Sequence, residues 1–201
     1  EGRNAVLEAF RSGKCVDKLF VLDRCQDGPV RTIIREARKK DTIINFVAKE
    51  RLDQLSATGH HQGVIAQASA YEYATVEDIL ENARKKGEPP FILLLDGIED
   101  PHNLGAIIRT AEAAGADGVI IPKRRSATVN PTVFKTSAGA AAWIKIARVS
   151  NLVDTIKTLK KHGVWVYGAE ADGTPIDKAD LSGALALVIG SEGFGLGKLV
   201  R

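Results

Sequence analysis

Three stretches of this chain place polar or small residues where a fold could use them for chemistry. The first is Asp96-Gly97-Ile98-Glu99-Asp100-Pro101-His102-Asn103-Leu104-Gly105, which runs into a helix carrying Arg109. Asn103 is expected at the helix start, where a short polar side chain caps free backbone N–H groups. Gly105, Arg109 and Glu112 fall at i, i+4 and i+7, so they share one helix face. Gly105 is expected to leave a gap through which Arg109 could reach. A planar guanidinium in that position can hold an anionic oxygen. The plain alternative makes Asn103 only a cap and Arg109 only a partner for Glu112. The second stretch, Gly190-Ser191-Glu192-Gly193-Phe194-Gly195-Leu196-Gly197, holds four glycines in eight residues. Such a turn lets backbone approach a ligand closely, with Glu192 as its carboxylate. A plain flexible turn is the alternative. Its spacing matches neither GxGxxG nor the phosphate loop GxxxxGK[ST]. The third, Ala169-Glu170-Ala171-Asp172, offers small residues that suit a flat ring such as adenine.

Other chemistries find less support. His60, His61 and His102 lack metal-ligand spacing, and no metal site is expected. No Ser/His/Asp or Cys/His set is readable. His162 beside Gly163 reads as a cation at a helix end. Cys15 and Cys25 show no CxxC spacing and read as free thiols of a reducing cytosol.

The elements that must position these residues alternate. Residues 4–13 read as a helix, 18–23 as a strand, 29–40 as a helix opened by Pro and closed by bases. A strand over 42–47, a short helix over 50–57 and a strand over 63–69 complete a small α/β unit of residues 1–70. Residues 71–90 read as a polar linker helix, with Thr75 as N-cap and Asp78 three residues on. From 91 to 201 a second α/β unit follows. Its first strand, FILLLD (91–96), is continuously apolar, as a strand buried on both faces should be. Helices over 103–115, 130–141 and 152–163 separate strands over 118–122, 143–149, 164–170 and 184–190. That alternation argues for a parallel sheet covered by helices on both faces. Ligands of such sheets sit beyond the carboxyl ends of the strands, where all three polar stretches fall.

Composition bounds the answer. Of 201 residues, 44% are apolar and 26% charged, which excludes a disordered tail, a collagen and a coiled coil. No apolar run approaches the roughly 20 residues of a membrane span, so no membrane partner is expected. The net charge of +3 lies entirely in residues 1–70, where 12 basic face 9 acidic side chains. Clusters at Arg35, Arg38, Lys39 and Lys40, and at Lys123, Arg124 and Arg125, are either solvated faces or phosphate contacts. The chain begins at Glu1 and contains no Met, so its N-terminus is expected to be processed or missing.

Taken together, these residues resemble the SpoU (TrmH-like) branch of the SPOUT methyltransferases. LDGIEDPHNLGAIIRTAEAAGADGVII (95–121) matches the first family motif and LVIGSEGFGL (187–196) the second; RRSATVNPTVFKTSAGAA (124–141) also looks like the family. EGRNAVLEAF (1–10) and HHQGVIA (60–66) are similar to the ribosomal-protein-like substrate domain of rRNA guanosine 2′-O-methyltransferases (RlmB-like). The resemblance covers nearly the whole chain. It implies a trefoil-knotted parallel-sheet catalytic domain, a homodimer joined through that domain, and a cytoplasmic enzyme. The implied reaction moves a methyl group from S-adenosylmethionine to a ribose 2′-hydroxyl of RNA, with a guanosine of large-subunit rRNA favoured over tRNA. The resemblance further implies Asn103, Arg109 and Glu192 as catalytic residues. Ala169, Gly190, Ser191 and Gly193 would hold the cofactor. Arg3, Asn4, His61, Gln62, Lys123, Arg124 and Arg125 would hold RNA. One departure is the absence of the third motif, a Ser-Leu-Asn segment after an Ile-Pro strand, which implies a catalytic domain lacking its C-terminal end in this chain. The alternatives are a tRNA ribose methyltransferase and a non-catalytic RNA-binding protein of the same fold. A nicotinamide-dependent oxidoreductase would need GxGxxG after the first strand of its domain, and DGIEDPHNLG has none.

Overall fold

The computed structural model describes every residue from Glu1 to Arg201 except Gln26 and Ala70. The chain forms two compact units, Glu1–Glu72 and Tyr73–Arg201. The boundary expected at residue 70 falls on Ala70, outside the described residues.

The first unit runs α1 (Arg3–Arg11), β1 (Val16–Leu22), α2 (Gly28–Lys39), β2 (Ile43–Val47), α3 (Lys49–Leu55) and β3 (Val64–Ala68). Its three-stranded sheet has the order β2-β1-β3, with β2 parallel and β3 antiparallel to the central strand. Leu19 and Val21 of β1, Val30, Ile33 and Ala37 of α2, and Val6 and Phe10 of α1 share one core. Asp27 caps α2 by accepting the Val30 N–H at 3.1 Å, and Pro29 sits in the first turn. Both choices suit a helix start, where a free N–H needs a partner and a missing one costs nothing.

The second unit runs α4 (Val76–Lys86), β4 (Phe91–Asp96), α5 (Pro101–Ala113), β5 (Gly118–Pro122), α6 (Pro131–Thr136), β6 (Lys145–Val149), α7 (Leu152–Lys161), β7 (Trp165–Gly168) and β8 (Leu185–Gly190), with short 3₁₀ turns at Ala140–Ala142 and Ile176–Lys178. Its five strands are all parallel, in the order β6-β5-β4-β8-β7. The apolar run of β4 lies in the middle, with Ile92, Leu94 and Leu95 fully buried. From β4 the chain steps outward through β5 to β6. It then crosses to the opposite edge at β7 and comes back to lay β8 against β4. The order therefore switches at the β4–β8 boundary, and the loops leaving those two strands lie side by side: Asp96 is in register with Gly190.

The helix over 76–86, expected to be a connector, is part of the second unit. Thr75 and Asp78 form the expected capping box, and Ile79 and Leu80 join the core of Ile92, Leu94 and Ile120. Ile79 lies so close to Gly118 that a Cβ there would come within 2.6 Å of it. Lys86 reaches the buried Asp117 at 2.8 Å, and Asp117 also accepts the Phe91 N–H at 3.0 Å. The polar residues that suggested a solvated linker are simply this helix's outer face. Among the described residues, no helix is long and apolar enough to cross a membrane.

Candidate active site

The loop after β4 delivers α5 earlier than its polar residues suggest. Asp100, not Asn103, is the cap: its carboxylate accepts the His102 N–H at 2.8 Å, and Pro101 opens the first turn. Asn103 is thereby released from capping and stands exposed inside the first turn. His102, Asn103, Ala106 and Arg109 fall on one helix face. That face forms one wall of a groove of about 880 Å³. The opposite wall is α6, with Pro131, Thr132, Lys135 and Thr136.

Gly105 brings these walls together. The expected gap for Arg109 is filled by α6: a Cβ on Gly105 would lie 1.9 Å from Thr136 Oγ1 and 3.0 Å from the Ser137 nitrogen. The Thr136 hydroxyl is fixed by donating to the Thr132 carbonyl at 2.9 Å. Gly105→Ala is therefore expected to cost about 1–3 kcal/mol through overpacking, measured by urea unfolding. Thr136→Ala in the same background should recover part of it, because the nearest atom met is the hydroxyl oxygen.

Electrostatically the groove is cationic. Arg109 and Lys135 lie on opposite walls, and no carboxylate lines it. Among the described residues, neither cation has an ion-pair partner, so an Arg109–Glu112 pair is not formed. Lys135, Thr132 and His102 were not singled out from the sequence. The signal for Lys135 and Thr132 lay in 131, 132, 135 and 136, which recur at helical spacing within a stretch otherwise read only as a helix.

The glycine turn after β8 is closed on itself. Ser191 and Gly195 exchange backbone hydrogen bonds of 3.0 and 2.8 Å, which folds the turn back onto the strand. A Cβ on Gly190 would lie 2.2 Å from the Gly195 carbonyl carbon. The close approach that glycine permits is thus to the turn itself. The Gly197 N–H donates to Asp96 Oδ2 at 2.7 Å and ties the turn to the end of β4. Ser191 and Gly193 line a concavity of about 470 Å³ with Asp96, Glu99 and Arg125. Glu192 is exposed and does not line the groove of Asn103 and Arg109. The structure thus brings two of the three expected catalytic residues together and leaves the third on the turn.

Beyond β7, Ala169 lines a slot of about 470 Å³ with Gly168, Glu170, Ile176 and Leu187. Its N–H continues the sheet by donating to the Val188 carbonyl at 2.9 Å. The Tyr167 hydroxyl donates to the Asp180 carbonyl at 2.7 Å and closes the rim. The Ser182 hydroxyl and N–H hold the Asp180 carboxyl below the usual carboxylate range.

The residues expected to hold RNA divide. His61 is buried, with Nε2 at 2.9 Å from Asp53 and Nδ1 accepting the Gly63 N–H at 3.0 Å. Both ring nitrogens are used within the fold, which removes His61 as an exposed contact. Arg3 is bound to Asp27 at 2.5 Å and to the Gln62 carbonyl at 3.2 Å, while the Gln62 side chain accepts the Arg3 N–H. These two pin the start of α1. Asn4 and Arg124 are exposed; Lys123 is half-buried, and Arg125 joins the concavity of the glycine turn. Among the described residues, no group of three or more His, Cys, Asp or Glu is placed to hold a metal ion.

Comparison with known proteins finds two family models. Residues 90–201 match the SpoU rRNA Methylase family, and residues 1–74 match the RNA 2′-O ribose methyltransferase substrate-binding domain. The chain is 46% identical over 202 residues to YacO of Bacillus subtilis (strain 168), assigned to the TrmH family of tRNA/rRNA methyltransferases; the match spans 100% of this chain and 80% of that protein. It is similar to the AdoMet-bound rRNA methyltransferase of Sinorhizobium meliloti, with TM-score 0.52 and 26% identity over 98% of this chain and 71% of that one. It shares its fold with the SpoU methyltransferase AviRb of Streptomyces viridochromogenes, with TM-score 0.57 and 22% identity over 99% of this chain and 74% of that one.

Proposed function

The chain belongs to the SpoU methylase family of RNA methyltransferases, and on that footing we propose that it methylates a ribose 2′-hydroxyl, the preferred target being a guanosine of large-subunit rRNA. The observation that carries this reading is the groove in which Asn103 and Arg109 on one wall face Lys135 on the other, with no carboxylate lining it. A ribose–phosphate backbone supplies the anion such a groove lacks.

The methyl donor is S-adenosylmethionine, whose sulfonium supplies an electrophilic methyl carbon and needs no metal. The residues present fit it. The slot beyond β7 has a volume in the range of small-ligand sites, roughly 300–1,000 Å³, and its wall of Gly168, Ala169 and Gly173 admits a flat ring. Ala169 together with Gly190, Ser191 and Gly193 would hold the cofactor.

This chain's residues have two tasks. The 2′-oxygen must be held in line with the methyl carbon and sulfur, and alignment alone is worth up to roughly 7–11 kcal/mol. The negative charge growing on that oxygen must also be met. Arg109 does the second by directing N–H donors at it, while Lys135 holds an adjacent phosphate as a point charge. The 2′-hydroxyl proton passes to solvent water in the open groove as the oxygen takes up the methyl group and S-adenosylhomocysteine leaves; the Arg109 guanidinium is a donor only, with no lone pair to accept that proton. Asn103 orients the ribose, and Glu192 contributes a polar contact from the glycine turn. Arg124 and Arg125 meet RNA phosphates. Reversing both to Glu should flatten the dependence of log affinity on log salt by about 0.7 for each phosphate no longer neutralised. An unchanged slope would make them plain surface.

The enzyme acts as a homodimer through its second unit. The support is large apolar surface left in water there: Trp143 is 83% and Trp165 70% exposed. Light scattering tests it, and a monomer at micromolar concentration would overturn it.

The deciding experiment offers radiolabelled S-adenosylmethionine with unmodified rRNA and tRNA separately. Label in rRNA that blocks alkaline cleavage at one nucleotide establishes the reaction. Label in tRNA alone overturns the substrate, and label in neither overturns the activity.

A further inference from the structure

The four residues of the first unit expected to touch RNA are mostly engaged in its own fold, yet residues 1–70 carry the chain's whole excess of positive charge. That charge has another focus. Arg31, Arg35 and Arg38 follow i, i+4 and i+7 along α2 and so form one stripe. Behind it, Val30, Ile33 and Ala37 anchor the helix in the core. The stripe faces Phe46 of β2, an edge strand, across a groove of about 580 Å³ that also takes in Ile34 and Lys39. Phe46 is 52% exposed, the one large apolar residue of the first unit left so open among those described. Glu36 is the carboxylate beside the stripe, and it is occupied: Lys39 Nζ lies at 3.1 Å and Arg35 Nε at 3.6 Å. Lys39's hydrogen bond and charge, with Arg35's charge, hold the Glu36 carboxyl below its usual range. Arg35 and Lys39 are thereby held in place, and the groove keeps a strong positive excess.

We propose that this groove between α2 and β2 binds an unpaired segment of RNA, with one base stacked on Phe46 and the flanking phosphates on Arg35 and Arg38. An exposed ring beside several cations is the pairing that single-stranded nucleic acid needs. Every base has a face to stack, and its backbone repeats the negative charge. A duplex offers phosphates but keeps its bases in the stack, so it cannot use Phe46. The inference rests on an RNA substrate and names the form of RNA held and the face that holds it.

The test uses a fluorescein-labelled 12-nucleotide RNA of mixed sequence, alone and annealed to its complement, titrated by anisotropy against the full chain. Phe46→Leu keeps an apolar side chain but removes the flat ring. It is expected to weaken single-strand binding roughly tenfold while leaving duplex binding and the thermal midpoint unchanged. Phe46→Tyr should restore binding to within about twofold. The double variant Arg35→Ala/Arg38→Ala should lower the salt slope of both. In the methyl-transfer assay, Phe46→Leu should raise KM for RNA and leave kcat as it was. Wild-type affinity in Phe46→Leu overturns the proposal, as does an equal loss for duplex and single strand. Displacement of the RNA by a polyglutamate peptide more readily than by an equally charged polyuridylate overturns it in favour of an acidic protein partner. Methyl transfer with a KM indifferent to Phe46 sinks this groove alone. Phe46-dependent binding without methyl transfer sinks the proposed activity alone.

Discussion

Arg109→Ala is expected to lower methyl transfer at saturating RNA and cofactor by about 10²–10³-fold, the usual cost of removing one donor aimed at a developing oxyanion. The side chain is exposed and has no ion-pair partner among the described residues, so the thermal midpoint should hold. The loss should fall on kcat, since charge on the 2′-oxygen grows only as the reaction proceeds. Arg109→Lys should recover little, because a single ammonium cannot address two oxygens as a planar fork does. Lys135→Ala, across the groove, should instead raise KM for RNA, as expected of a residue that grips phosphate equally in ground and transition states. Near-normal turnover of Arg109→Ala would remove it from the chemistry and leave the groove as a docking surface only.

Gly190→Ala is expected to abolish cofactor binding while the rest of the fold survives. The added Cβ would meet the Gly195 carbonyl carbon at 2.2 Å, the carbonyl oxygen at 2.3 Å and the Leu196 nitrogen at 2.5 Å. All three are backbone atoms of a closed turn, so no side chain can rotate aside. The turn must open, breaking the paired Ser191–Gly195 hydrogen bonds and straining the tie from Gly197 to Asp96. Gly28→Ala, in the first unit, is the control, since a Cβ there meets nothing within 4 Å. The two variants should separate in equilibrium dialysis with labelled S-adenosylmethionine and in thermal unfolding. Wild-type affinity in Gly190→Ala would show that the turn's closure has no part in holding the cofactor.

The fold was legible where one local rule decided it. The apolar run of β4 could only be a buried strand, and the Thr75–Asp78 pair marked a helix start that formed as expected. Reading failed where two local rules competed or a distant contact decided. Asp100-Pro101 and Asn103 are both plausible helix openings, and the Asp-Pro pair prevailed, since Pro is best tolerated in the first turn. Gly105 looked like space for Arg109 because its true neighbour, Thr136, lies thirty-one residues further on. His61 looked available because its partner, Asp53, comes from another element. The strand expected over 143–149 begins only at Lys145, and Trp143 remains exposed before it. Of the site, Asn103 and Arg109 could be found in sequence; Lys135 needed the packing of α6 on α5.

The place of β8 in the sheet has a consequence for the order in which the chain can fold. Of the five strands it is the last to be synthesised, yet it lies inside the sheet between β4 and β7. Leu93 pairs with Leu187, so this contact closes a long loop and is slow to form. Until β8 leaves the ribosome, β4 and β7 each present an unpaired backbone edge, the surface on which nascent chains aggregate. The turn that ties Gly197 to Asp96 can close only after that insertion. Translation must therefore finish β8 before the second unit can assemble its active site, whereas the first unit carries every strand of its own sheet in residues already made.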